Sequence, residues 1–243
     1  MKPFLLLQHR YLDEASDDEY EAVLKYGPLS PNEVHRIRME KQSLGDIDLN
    51  EYSGVIVGGG PANVSDPEEK KRPEQLRFEK ELNQLYDRIF ESDFPYLGMC
   101  YGLGSVTRYL NGEVSKERYG ETAGAVTINL VPGVTDPVLA GIPSTFRALA
   151  GHKEACQALP EGAVLLAGSD ACPVQMIRYK KNIYATQFHP ELDYEGITFR
   201  LNVYRDHGYF NPADIDELFE QLKGEEIVYP QLILQNFVKL HQK

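Results

Sequence analysis

The run Tyr96-Leu97-Gly98-Met99-Cys100-Tyr101-Gly102-Leu103-Gly104 restricts this chain more than any other. Residues 94–99 read as a buried strand, and from Gly102 to Leu110 the apolar spacing turns helical. A strand that passes straight into a helix leaves no linker, so the residue at the junction sits in a sharp, strained turn. Gly98 and Gly102, two before and two after Cys100, remove the side chains that would clash there. A helix beginning near Tyr101 favours the thiolate of Cys100, because the positive end of its dipole points at the sulfur. The Tyr101 N–H is then free to stabilise an oxyanion. The competing reading of the same run is a buried cysteine in a glycine-rich turn.

Around this junction strands and helices alternate. Residues 3–8, 35–39 and 53–57 read as strands. Residues 18–25 and 73–90 read as helices, the second carrying Leu76, Leu82, Leu85, Ile89 and Phe90 at helical spacing. Strand, loop, helix, strand, helix is the pattern of a parallel sheet. From Ala125 the character changes to β-like runs with short connections: 125–131, 145–150, 163–167, 173–179 and 182–188, with a hairpin turn at Lys180-Lys181-Asn182. The prediction is an α/β fold, a largely parallel central sheet flanked by helices with extra antiparallel strands. Residues 197–204, 215–222 and 229–241 are further helix candidates. No repeat or linker divides the 243 residues, so 1–243 is read as one domain, with about 205–243 a helical C-terminal extension.

Composition removes several functions. A formal net charge of -12 argues against a duplex nucleic-acid partner, which needs a basic face. The longest apolar runs, at 4–7 and 55–57, are strand-sized and far from the roughly 20 residues of a membrane span. The start MKPFLLLQHR lacks an extended apolar region and a small-residue cleavage site, so the expectation is a cytoplasmic protein. Three cysteines, Cys100, Cys156 and Cys172, cannot all pair, and none has zinc-ligand spacing, so neither a disulfide scaffold nor a metal or other cofactor is expected.

A cysteine nucleophile needs a base, and the base needs a third group to fix its tautomer. Gln187-Phe188-His189-Pro190-Glu191 supplies both, since His189 and Glu191 are two apart and share a face on an extended chain. His9, His35, His207 and His241 read as surface or turn residues, whereas His152, in Gly151-His152-Lys153-Glu154, stands apart. Gly58-Gly59-Gly60-Pro61 follows a strand without the Lys-Ser or Lys-Thr of a phosphate loop and without G-x-G-x-x-G. It reads as a loop whose Gly59 and Gly60 bring N–H groups to a substrate beside Tyr101, or as an ordinary turn.

In this order the glycine loop, the Cys100 run and the His189-Pro190-Glu191 segment resemble class I glutamine amidotransferases, closest to the amidotransferase domain of GMP synthase and its stand-alone relatives. The resemblance covers about residues 50 to 195, and Asp136-Pro137-Val138-Leu139-Ala140-Gly141-Ile142-Pro143 and Gly151-His152-Lys153-Glu154 fit the same pattern. It implies a flavodoxin-like sheet and a Cys-His-Glu triad that attacks the side-chain amide of glutamine through a thioester, releasing ammonia for a partner synthetase. Cys100 would be the nucleophile, His189 the general base and acid, and Glu191 the orienter. Gly60 and Tyr101 would supply the oxyanion N–H groups, and Gly151 and His152 would border the glutamine pocket. Gly104 stands where the family usually carries glutamine, so a γ-glutamyl peptidase or hydrolase acting on another γ-glutamyl amide is the alternative. A third reading is a binding module that keeps the fold without catalysis.

Overall fold

Phe4-Leu5-Leu6-Leu7 is apolar on both sides of the chain, and the fold buries both. Phe4 and Leu6 enter one hydrophobic cluster with Ile56, Leu97 and Met99. Leu5 and Leu7 enter another with Val55, Val57 and Tyr96. A strand alternates its side chains between faces, so a continuous apolar run is what a sheet covered on both faces requires. The computed structural model describes residues 2–206 and 212–243, and His207, read from the sequence as a surface residue, lies outside them.

In chain order the parallel part is built from β1 (Phe4–Gln8), α1 (Asp13–Tyr26), β2 (Val34–Arg38), β3 (Gly54–Val57), α2 (Pro73–Ser92), β4 (Tyr96–Met99) and α3 (Tyr101–Tyr109). There follow β5 (Val114–Ser115), β6 (Glu121–Leu130), β7 (Thr145–His152), β8 (Ala155–Cys156), β9 (Ala163–Gly168), β10 (Met176–Tyr179) and β11 (Ile183–Thr186). The chain closes with α4 (Tyr194–Val203), α5 (Ile215–Leu222) and α6 (Pro230–His241). Among the described residues one 9-stranded sheet runs β2-β1-β3-β4-β11-β10-β9-β6-β7, and β5 pairs with β8 apart from it. The pairs from β2 through β11 are parallel, and those from β11 to β7 are antiparallel. The α/β expectation therefore holds, with the antiparallel strands extending one side of a parallel core.

Helices cover both faces. Val23 of α1 and Ile233, Leu234, Phe237 and Val238 of α6 belong to the first cluster, while Phe78, Leu82, Tyr86 and Ile89 of α2 belong to the second. Ile233, Leu234 and Phe237 are fully buried, each burial stabilising the fold by roughly 1.5–3 kcal/mol. Two helical expectations change. Helix α1 begins at Asp13 rather than near Asp18, because Asp13 and Glu14 sit in the first turn, where negative charge opposes the helix dipole. Leu76, expected on the buried face of α2, is 39% exposed, whereas Gln75 is only 5% exposed. The Gln75 amide faces inward because it donates to the Asn63 carbonyl and to Glu79 Oε1, both at 2.9 Å. No helix among the described residues is long and apolar enough to cross a membrane.

The carboxyl ends of β3, β4 and β11, adjacent in the sheet, deliver the glycine loop, Cys100 and the His189 segment to one edge. In open parallel sheets that edge is where ligands bind.

Candidate active site

Cys100 occupies the one-residue junction between β4 and α3 with φ +53°, a region that L side chains rarely adopt. Its N–H donates to the Thr186 carbonyl at 2.7 Å, continuing the pairing with β11. Its carbonyl accepts from Leu103 N at 3.0 Å, which starts α3. The geometry needs both flanking glycines. A Cβ on Gly98 would lie 2.8 Å from the Gly102 carbonyl carbon, and one on Gly102 would lie 3.2 Å from the Val57 oxygen. Tyr101 and Gly102 open α3, where N–H groups have no carbonyl one turn back. Cys100 is half-exposed, while Cys156 and Cys172 are buried.

His189 Nδ1 lies 2.8 Å from Glu191 Oε1, and its ring lines the same hollow as Cys100. The structure thus brings Cys100, His189 and Glu191 into one row. The backbone that does so is not the extended one expected from the sequence. β11 ends at Thr186, and Leu192 N donates back to the His189 carbonyl at 3.3 Å, so His189-Pro190-Glu191-Leu192 is a turn. Pro190 takes its second position, where a fixed φ near −65° is preferred. Burial works against a charge on His189, but Glu191 and Cys100 outweigh it and lift its pKa from 6.5 to about 9. Burial likewise opposes the Glu191 charge, yet His189 and Arg200 hold its carboxyl below the usual range. Arg200 Nη1 donates to Glu191 Oε1 at 2.7 Å, and Arg200 Nε to Asp18 Oδ2 at 2.7 Å.

Each glycine of the Gly58-Gly59-Gly60 loop faces a different side chain. An added Cβ would lie 2.4 Å from Glu19 Oε2 at Gly58, 2.6 Å from His189 Cε1 at Gly59, and 2.3 Å from His9 Cε1 at Gly60. Close approach, rather than turn conformation, excludes side chains at all three. The Gly59 N–H is not available to a substrate, because it donates to Glu19 Oε1 at 3.1 Å. Gly60 borders the space beside Cys100. His9 corrects a sequence expectation: it is fully buried, its ring 4.1 Å from that of Tyr101 between centroids. Burial and the neighbouring Arg10 push its pKa down to about 3, so it is neutral. His241, also expected at the surface, is half-buried against Phe237, with ring centroids 4.9 Å apart.

Three buried charges around the site escaped the sequence reading: Arg10, Glu19 and Arg200. Glu19 accepts from Gln8 Nε2 and Arg10 Nε, both at 2.9 Å, as well as from Gly59. Arg10 carried a signal, as a polar residue just past the carboxyl end of a buried parallel strand. Glu19 and Arg200 read as ordinary polar positions on helices.

Two hollows meet at Cys100. One includes Gly104, Tyr101, His152 and Glu154. The other holds His189, Arg10, Arg200 and Tyr204 against Leu192, Ile197 and Leu201. Gly151 borders both, and a Cβ there would lie 3.0 Å from the Ala123 Cα of the adjoining strand. A side chain on Gly104 would meet Glu154 Oε1 and Val64 Cγ2, each 3.3 Å from its Cβ. Glu154 accepts from Val64 N at 2.8 Å and Ser65 N at 2.9 Å, and burial holds its carboxyl above the usual range.

His152 also belongs to a second cysteine–histidine–glutamate group. Its Nε2 lies 2.8 Å from Glu121 Oε2, its Nδ1 lies 2.9 Å from the Glu154 carbonyl, and Cys172 closes the group. One ligand atom from each of Glu121, His152 and Cys172 falls within 4.8 Å of the others, a donor set able to hold a divalent cation. The spacing rule missed it because its members come from β6, β7 and the loop after β9.

Fold and site together define an α/β domain organised around a strand–cysteine–helix turn. Residues 21–196 match the family glutamine amidotransferase class-I. The chain belongs to that family. Among curated proteins it is 34% identical over 141 residues to the GMP synthase [glutamine-hydrolyzing] of Thermosipho africanus (strain TCF52B), covering 58% of this chain and 24% of that protein. The corresponding protein of Dehalococcoides mccartyi (strain CBDB1) is 32% identical over 139 residues, 57% of this chain and 23% of its own length. The chain thus spans about a quarter of the curated relatives it matches. A glutamine amidotransferase from Thermotoga maritima superposes with a TM-score of 0.78 at 22% identity, covering 100% of both chains. A glutamine amido transferase from Methylobacillus flagellatus does so with a TM-score of 0.74 at 17% identity, covering 100% of this chain and 96% of the other.

Proposed function

We propose that the protein hydrolyses the side-chain amide of a γ-glutamyl compound, glutamine being the simplest, through a thioester on Cys100. The observation that carries this reading is a cysteine at positive φ beside an imidazole that is itself bonded to a buried carboxylate. The Cys100 proton passes to His189, and the sulfur attacks the γ-carbonyl carbon. The oxyanion that forms is met by the N–H groups of Tyr101 and Gly60. As the tetrahedral adduct collapses, the C–N bond breaks and His189 returns the proton to the leaving nitrogen. Water, giving its proton to His189, then attacks the thioester, and glutamate leaves as the sulfur is reprotonated. Glu191, fixed by Arg200, keeps Nδ1 protonated and Nε2 turned to the sulfur.

Membership of the amidotransferase family supports this chemistry, as does the match to proteins whose names describe glutamine hydrolysis. With glutamine as substrate the ammonia serves a synthetase partner. We take residues 1–243 to act as one domain in the cytoplasm, with α6 packed into its core. The test is release of glutamate and of ammonia or amine from glutamine and γ-glutamyl amides by the purified protein. Hydrolysis by wild type and none by Cys100→Ala is expected; no hydrolysis of any such amide by wild type overturns the reading.

A further inference from the structure

The two hollows at Cys100 differ in their lining residues, and His189 lines only one of them. Gly60, Cys100 and Gly151 border both, but His189 faces the hollow walled by Leu192, Ile197 and Leu201, not the one containing Gly104 and Glu154. In thiol-based amide hydrolysis the imidazole gives its proton to the departing nitrogen, so that nitrogen and whatever it carries lie on the imidazole's side. The glutamyl half then lies toward Gly104 and Glu154. Ammonia makes no use of an aliphatic wall, yet the imidazole's side of the sulfur has one, extended by Ala123 and Ala150.

A second observation is independent of the wall. Arg200 also lines this hollow, and its Nη2, buried, has no hydrogen-bond partner among the described residues. Its Nε and Nη1 are occupied by Asp18 and Glu191. A buried guanidinium donor left open is unfavourable, and an acceptor on a bound molecule would relieve it. The charges of Arg10 and Arg200 are already matched by Glu19, Asp18 and Glu191, so the acceptor is held by direct hydrogen bonding rather than by an excess positive field.

Resting on the hydrolytic reading above, we infer that the γ-amide nitrogen of the substrate carries an aliphatic amino acid. The side chain of the leaving residue packs on Leu192, Ile197 and Leu201, and its carboxylate accepts from Arg200 Nη2. The step balances as before: the thioester C–S bond forms, the C–N bond breaks, and His189 protonates the amine, which departs as a free amino acid. Water then releases glutamate.

The experiment compares kcat/KM of the full chain for γ-glutamyl-leucine, γ-glutamyl-isoamylamide and glutamine. γ-Glutamyl-leucine is expected to exceed glutamine by about 10–100-fold, the effect of filling an apolar pocket, with the isoamylamide in between because it lacks the oxygen acceptor. Glutamine turned over as well as γ-glutamyl-leucine overturns the inference while leaving the hydrolytic reading intact. An isoamylamide equal to γ-glutamyl-leucine overturns the role of Arg200. No turnover of any of the three overturns the hydrolytic reading and this inference with it. Ala123→Leu, which narrows the hollow from β6, should lower γ-glutamyl-leucine hydrolysis about tenfold more than glutamine hydrolysis; an equal effect on both removes the assignment of this hollow to the leaving group.

Discussion

The protein holds the same three residue types together twice, as Cys100 with His189 and Glu191 and as Cys172 with His152 and Glu121. Cys100 sits at positive φ on a helix start, half-exposed between two hollows. Cys172 is 0% exposed, and burial together with Glu121 pushes its thiol up to about 12. His189 uses one ring nitrogen on Glu191, leaving the other for the sulfur. His152 has one nitrogen on Glu121 and the other on the Glu154 carbonyl, so neither is left to serve Cys172. On the chemistry proposed above, composition and proximity alone do not make a reactive thiol. Backbone strain, access to the hollows and a ring nitrogen left open separate the two.

The widest separation should appear in turnover. Cys100→Ala is expected to lower hydrolysis of γ-glutamyl amides by about 10³-fold or more with an unchanged circular dichroism spectrum. Comparable residual activity in that variant would break the distinction drawn between the two groups. His189→Asn should cost about 10²–10³-fold, and Glu191→Gln about tenfold, since the second leaves an imidazole that is misdirected rather than missing. A Glu191→Gln loss equal to that of His189→Asn would make Glu191 the base.

The sequence exposed one of these groups and hid the other, for a physical reason. Cys100 is legible because its strain is local: Gly98, Gly102 and the strand-to-helix switch lie within a few residues of it. His189 and Glu191 are legible through their spacing, although a proline turn rather than an extended strand brings them together. Glu121, His152 and Cys172 meet only through strand pairing and the return of a loop, which no local spacing encodes. The same holds for Arg10, Glu19 and Arg200, and for His9, whose burial follows from packing against Tyr101 and Phe78. The parallel half of the sheet was legible from continuous apolar runs. Leu76 lies exposed while Gln75 is buried because the Asn63 carbonyl and Glu79 give the glutamine amide acceptors that helical periodicity cannot represent.

Stability against pH gives a smaller effect that sharpens the contrast. A histidine whose pKa is raised on folding stabilises the native state fully below its unfolded pKa, and that contribution disappears as pH rises through the folded value. For His189 the window runs from 6.5 to about 9. Urea unfolding should therefore show a loss on the order of 1–3 kcal/mol between pH 6.5 and 9.5, and His189→Asn should remove most of it. An undiminished slope in that variant would assign the pH dependence to other groups.

The smallest effect belongs to Cys172. Its sulfur lines neither hollow and donates a weak bond, 3.7 Å, to the Val174 carbonyl. Replacing it by alanine removes one buried sulfur, a loss of about 1 kcal/mol in denaturant unfolding, and should leave kcat/KM within about twofold of wild type. In the native protein, iodoacetamide should label Cys100 and spare Cys172 until denaturant opens the fold, since alkylation needs both access and a thiolate. A tenfold fall in turnover for Cys172→Ala would mean that the second group reaches the chemistry. Its route would be His152, which shares the hollow with Gly104, and burial and strain would then no longer be what separates a reactive cysteine from an inert one in this fold.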